Sequence, residues 1–450
     1  MAKPREAIML SKTWAQHLAA AVALLVALCL LVLPNVTEDA RALKTETFVP
    51  GQIIVKTAPG VNIGDINSSY GTLVQERFLD KKNTTIYLLK IVDGSGAQDL
   101  LAKMSGDPRD PRIVYAELNY LAGAPEADDE TEAQHRHSAF PAGDATPTTK
   151  NYSRDSIYPD SALNLTDARK ISQGAGKTVA IIDTGAQMNH PALKARFVGV
   201  PRYDFVDDDK DPSEPPLAST QEQRDQEVVG HGTHVAGIIN LVAPQANLMP
   251  LRALDKDGYG STFHVAEATA FADTNGANVI NMSLGSPSWS RLLNEKVVEA
   301  ISHGRVVAAA AGNYNSVQSQ YPASRQVPAA EDDDGLLAVT SVDPTPKRST
   351  FANYGTWIDI AAPGEEILST YPVSGYAYWS GTSMATPFVA GEAALIQASA
   401  KSPIDPAGVE TRIRCSAGSI PEDPVHLTLG AGHADIGASL GQVAGQTCSL

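Results

Sequence analysis

Thr178-Val179-Ala180-Ile181-Ile182-Asp183-Thr184-Gly185 is an apolar run closed by an acid and a turn dipeptide. A short apolar run without polar alternation reads as a strand buried on both faces. Runs of the same kind recur at Leu248–Ala253, Val279–Ser283, Val306–Ala311, Leu336–Val342 and Trp357–Ala361. Helical spacing appears between several of them, at His231–Leu241, Phe263–Thr274 and Arg291–His303. From Asp155 onward this alternation predicts an α/β fold, a doubly wound parallel sheet covered on both faces. Such sheets place their chemistry beyond the carboxyl ends of the strands, and Asp183 and Asn313 both follow an apolar run.

Working outward, 450 residues leave room for a second, smaller unit. Residues 48–122 supply it, with strand patterns at Phe48–Lys56, Thr85–Ile91 and Ile113–Ala116. Helical patterns fall at Ala97–Met104 and around Ile63–Leu73, and the β-α-β-β-α-β order predicts a small α+β, ferredoxin-like domain. Residues 123–150 turn polar and acidic, including Glu126-Ala127-Asp128-Asp129-Glu130, and read as a linker that does not pack. Lys3, Arg5 and Lys12 precede the apolar run Leu18–Leu33, an order that reads as an export signal with Ala40-Arg41-Ala42 as cleavage site. The distance from that run to the cleavage site leaves an uncleaved membrane anchor as the alternative. The expected segments are therefore 1–42 signal or anchor, 43–124 small domain, 125–150 linker and 151–450 main domain, in a secreted or cell-envelope protein.

Composition narrows the partners. The 35 basic and 51 acidic residues give a net charge of −16, which argues against nucleic acid. The acidic stretch Asp204, Asp207, Asp209 and Asp211 is a candidate calcium site, with a solvated loop as the alternative. Of three cysteines, Cys29 lies in the apolar run, leaving Cys415 and Cys448 for a disulfide in an oxidising compartment or as two free thiols.

The chemistry concentrates in three segments. Asp183-Thr184-Gly185 puts a carboxylate at a strand end, where it needs a hydrogen-bonding partner. His231-Gly232-Thr233-His234-Val235-Ala236-Gly237 opens a helix with an imidazole. A metal reading of His231 and His234 lacks further ligands nearby. Ser380-Gly381-Thr382-Ser383-Met384-Ala385-Thr386-Pro387 sets a hydroxyl among small residues at the start of a predicted helix, Ser383–Ala398, with Pro387 placed in its first turn. A serine becomes a useful nucleophile when a base takes its proton and a carboxylate orients that base.

The order Asp183…His231…Ser383, together with residues 380–387, resembles the subtilisin-like serine proteases. The resemblance implies that Asn313 and the Ser383 N–H hold the oxyanion and that His234 is structural. It implies peptide clamping by Gly258, Tyr259 and Gly260 on one side and by Ser283, Leu284 and Gly285 on the other. A primary pocket would then lie between those segments and the Ala310–Gly312 wall. Protein or peptide substrates follow, with no cofactor for catalysis, and the small N-terminal domain becomes a self-inhibiting propeptide of a self-processing zymogen. Phe388 stands where the family commonly carries histidine. An acid peptidase of the same fold would need a glutamate base in place of His231. A binding protein that keeps the fold without turnover is the competing class, and Ser383→Ala separates it from an enzyme.

Overall fold

A computed structural model of the chain describes residues 47–80, 84–106, 108–127, 136–137, 163–220, 228–324, 334–421 and 428–441. The expected export signal, Cys448 and most of the expected linker lie outside them. Strands β1 (Phe48–Thr57), β2 (Thr72–Leu79), β3 (Thr85–Ile91) and β4 (Ile113–Gly123) pair antiparallel in the order β2-β3-β1-β4. Helices α1 (Ile63–Tyr70) and α2 (Ala97–Ser105) make the crossings, completing the ferredoxin-like order. Helix α1 stops before the expected Leu73 because Gly71 turns left-handed (φ 64), and Leu73 joins β2 instead.

Alternation splits the two faces of this sheet. Ile53, Val55 and Leu89 pack with Ile66, Leu100 and Met104 in the unit's own core. Ile54, Ile86, Leu88 and Tyr115 instead join a core of the main domain.

The dipeptide β5 (Arg136–His137) pairs with a C-terminal hairpin described below. The main sheet holds β6 (Thr178–Asp183), β7 (Tyr203–Asp204), β8 (Asn247–Arg252), β10 (Val279–Met282), β11 (Val306–Ala310), β12 (Leu336–Val342) and β13 (Ile360–Pro363). All seven run parallel in the order β13-β12-β11-β10-β6-β8-β7. Strand β9 (Tyr259–Ser261) lies apart and pairs antiparallel with the end of β4. The last strands, β14 (Ile367–Tyr371) and β15 (Gly375–Trp379), form that hairpin.

Helix α3 (Leu165–Ile171) precedes β6, and α4 (His231–Val242), α5 (Thr262–Thr274) and α6 (Arg291–Ser302) fall between strands. Helices α7 (Thr382–Ser399), α8 (Pro406–Ser416) and α9 (Ile436–Gly441) close the chain. Val179 and Ile181 face the α4 and α7 side, with Val235, Phe388 and Val389. Ala180 and Ile182 face the α5 and α6 side, with Phe263, Leu292 and Val297. The unbroken apolar runs are therefore strands with a core on each face, as expected. Phe388 is fully buried in the first of those cores.

Candidate active site

Asp183 ends β6, His231 is the first residue of α4, and Ser383 is the second residue of α7. All three are completely buried in this structure. Asp183 Oδ1 sits 2.7 Å from His231 Nδ1 and also accepts the Thr184 N–H at 2.7 Å. Gly232 must lack a side chain, since a Cβ there would lie 2.1 Å from the Gly185 carbonyl oxygen. That close approach lets the head of α4 sit directly on the end of β6.

The group completing the cluster is Glu126. The Ser383 hydroxyl donates to Glu126 Oε2 at 2.6 Å, and His231 Nε2 lies 3.1 Å from the same oxygen. Asn313 Nδ2 donates to Glu126 Oε1 at 3.0 Å. Asn313 Oδ1 accepts the Thr382 N–H at 2.9 Å and the Thr382 hydroxyl at 3.0 Å, which fixes which end of the amide faces the site. His231, Ser383 and Asn313 thus converge on one carboxylate, from a stretch expected to be a non-packing linker, while Asp183 holds the far side of the His231 ring. The expectation fails at residues 123–127 because they are held by strand pairing to the main domain. Gly123 and Gly285 exchange both backbone hydrogen bonds at 2.9 Å, and Leu121–Gly123 pair with Tyr259–Ser261. Glu126 itself is 1% exposed, within a 3₁₀ turn over Pro125–Ala127.

Electrostatics follow from that enclosure. Burial opposes a charge on His231, but Asp183 and then Glu126 overcome it and raise its pKa to about 10. With a carboxylate against each ring nitrogen, both nitrogens donate and the ring is an imidazolium. Burial likewise opposes the Glu126 anion, yet His231, Ser383 and Asn313 hold its pKa below the ordinary value. His234 behaves oppositely. Its burial depresses the pKa to about 3, its Nε2 bridges the Ile367 and Ala377 carbonyls at 2.9 and 3.0 Å, and its ring stacks on Trp379.

Two further features escaped the sequence reading. Pro387 lies in the second turn of α7, not the first, so it withholds the N–H that would bond to the Ser383 carbonyl four residues back. The Ser283 hydroxyl donates to that carbonyl at 2.8 Å, tying the segment after β10 to the backbone of Ser383. Glu214 is buried between the first two motifs, where it accepts from Thr184 Oγ1 (3.1 Å), Thr233 N (3.1 Å) and Gly230 N (2.9 Å). Burial raises its pKa to about 7. No spacing rule would have found it, because its contacts come from two segments distant from it in sequence, at Thr184 and at Gly230–Thr233.

The remaining candidates lie elsewhere. Asp204 and Asp207 both bind Arg252, Asp204 Oδ1 accepts the Val206 and Asp207 N–H groups, and Asp209 caps Asp211 N. Asp204, Asp207 and Asp209 are thus committed to a cation and to loop amides and Asp211 to the Ser213 hydroxyl, and these four carboxylates are not gathered into a calcium cage. Among the described residues no group of three or more His, Cys, Asp or Glu is arranged to hold a metal ion. Cys415 is disulfide-bonded. No helix among the described residues is long and apolar enough to cross a membrane.

Comparison with known proteins agrees with this geometry. Residues 174–433 match the model of the subtilase family. The chain belongs to the subtilases. Residues 34–119 match the fervidolysin N-terminal prodomain. This subtilase is 33% identical over 372 residues to the thermophilic serine proteinase of Bacillus sp. strain AK1, covering 80% of each chain. It is 39% identical over 255 residues to thermitase from Thermoactinomyces vulgaris, covering 54% of this chain and 83% of thermitase. In fold it is similar to fervidolysin from Fervidobacterium pennivorans, a keratinolytic enzyme related to subtilisin, with a TM-score of 0.69 at 22% identity. That match covers 88% of this chain and 62% of fervidolysin, so this subtilase spans less than two thirds of that protein's length. The chain is a serine endopeptidase with an N-terminal prodomain, of a family that needs no cofactor for catalysis.

Proposed function

We propose that this subtilase is a secreted or cell-envelope zymogen that cleaves peptide bonds through Asp183, His231 and Ser383. One observation carries the reading: a single carboxylate touches Ser383 Oγ, His231 Nε2 and Asn313 Nδ2 at once, while Asp183 holds the other side of the imidazole. Those three donors surround the point where a scissile carbonyl would react. With the carboxylate gone and the imidazole neutral, His231 Nε2 takes the Ser383 proton as Oγ attacks the carbonyl carbon. Asn313 Nδ2 and the Ser383 N–H then face the oxyanion, the latter because amides in the first turn of α7 have no intrahelical partner. His231 returns its proton to the leaving amine. A water deprotonated by the same imidazole releases the acyl group and restores the serine.

Substrate would lie where the N-terminal tail now lies, between Gly258–Gly260 and Ser283–Gly285, against the Ala310–Gly312 wall. The tail's strand pairing with Tyr259–Ser261 and Gly285 supports that placement. Export rests on the basic-then-apolar N-terminus, with a membrane tether if that segment is retained. Processing that separates the prodomain falls between residues 122 and 150, and the docked tail extends the inhibitory segment through Ala127.

The test is a time course of the full-length chain beside Ser383→Ala, by gel and intact mass, with a hydrophobic peptide substrate present. In subtilisin, loss of the serine lowers turnover by about 10⁶. The wild type should trim itself and cleave the peptide, while Ser383→Ala stays whole and inert. Substrate cleavage by Ser383→Ala at the wild-type rate would refute the assignment.

A further inference from the structure

We propose that the Glu126 side chain, and not a peptide bond presented to Ser383, is the inhibitory group of the uncut chain. This rests on the catalytic assignment above and specifies how that site is kept silent. The backbone first enters the cleft as an extended strand, with Ala124 N–H donating to the Gly258 carbonyl at 3.0 Å. Pro125 then stops the pairing, since it has no N–H to offer. The chain turns back in a 3₁₀ bend, closed by Ala127 N–H to the Ala124 carbonyl at 2.9 Å. The Tyr259 hydroxyl secures it, donating to the Ala127 carbonyl at 2.7 Å. Among the described residues of the tail, only a side chain therefore reaches the reaction centre.

What that side chain does there is specific. Its Oε1 takes the Asn313 Nδ2–H, where an oxyanion would form, and its Oε2 takes both the Ser383 hydroxyl and His231 Nε2. The serine proton is donated to the carboxylate instead of to the base. The base is already protonated, because a nitrogen donating to Glu126 on one side and a nitrogen donating to Asp183 on the other leave no lone pair to accept. A carboxylate is also a dead end for attack, since it carries no amine to expel. The floor of the pocket is bare backbone, and a Cβ on Gly381 would lie 1.8 Å from Glu126 Oε1. The cleft is thus a carboxylate-binding site with three aimed donors, filled by the protein's own acid.

The proposal is tested with full-length wild type, Glu126→Ala and Glu126→Gln, each exposed to a fluorophosphonate that labels a reactive triad serine. The labelled intact band is resolved from trimmed forms by gel. Glu126→Ala should label at least tenfold faster than wild type. Glu126→Gln, which keeps the shape and loses the charge, should fall between them and controls for misfolding. Equal labelling of the intact wild-type and Glu126→Ala bands would overturn the latch and leave the tail's backbone as the block. If no form labels even after limited proteolysis has removed the prodomain and tail, the protease assignment fails and the latch falls with it.

Discussion

Glu214 shows how one residue can hold the candidate site together without belonging to the proposed triad. Its carboxyl group joins Thr184, beside Asp183, to Gly230 and Thr233, on either side of His231. Replacing it with alanine leaves two buried N–H groups without acceptors, and a buried polar group left unpaired costs about 1–3 kcal/mol. Glu214→Ala should therefore lower stability by about 2–5 kcal/mol, read by thermal or denaturant unfolding in a Ser383→Ala background. In the active chain it should lower kcat far more than it raises KM, with partial rescue by Glu214→Gln. A Glu214→Ala chain with unchanged stability and unchanged kcat would contradict this role.

At the scale of elements, the prodomain is fixed by its own chemistry as well as by its tail. Glu117 on β4 accepts from Ser290 Oγ, Arg291 N and Leu292 N at 3.0, 2.7 and 3.0 Å, placing an acid on the N-terminus of α6. Burial raises the Glu117 pKa, and these donors work against that shift. Asp80 is enclosed between Lys296 and Lys56, which outweigh burial and hold its carboxyl below the ordinary range. If a Ser383→Ala chain is nicked between prodomain and main domain, Glu117→Ala should weaken their association by roughly 30-fold or more, from the ~2–4 kcal/mol of a buried charged acceptor. An unchanged dissociation constant would show that the apolar face formed by Ile54, Ile86 and Leu88 suffices alone. Apolar periodicity made six of the seven parallel strands and most helices legible in the sequence, with β13 starting at Ile360 and not at Trp357, but it could not show β7, which is two residues of an acidic stretch. It could not place β2, whose alternation is broken by exposed Leu73 and Leu79, nor the end of β4, whose pairing partner is about 140 residues away in sequence. The residues Asp183, His231, Ser383 and Asn313 were legible because each sits in a short motif among small neighbours. Glu126 and Glu214 were not, because long-range contacts alone give them a role.

For the whole molecule, the buried acids and His231 set the direction of pH dependence. Burial raises Glu392 to about 8 against an ordinary value of 4.5, outweighing the Ser439 hydroxyl, and raises Glu214 to about 7. His231 is raised from 6.5 to about 10. In each case the folded pKa exceeds the unfolded one. The stabilisation is complete below the unfolded value and is lost as pH rises through the folded value. The uncut Ser383→Ala chain should accordingly lose stability progressively between about pH 4.5 and 10, with each group contributing up to ~1.4 kcal/mol per pH unit in its own window. Glu392→Gln, a neutral isostere, should make the fall in Tm between pH 6 and 9 shallower. Parallel profiles for the two chains would exclude Glu392 as a source of it.

We propose that Ser383 is a nucleophile whose reactivity depends on His231. It is tested most directly by locating the fluorophosphonate adduct by peptide mapping in the trimmed wild type and timing its formation against trimmed His231→Ala. To obtain matched forms, both chains are trimmed by the same added protease, which is removed before labelling. One adduct is expected, on Ser383, forming at least ~10³-fold more slowly without the imidazole. An adduct on another residue, or equal rates in the two chains, would contradict it.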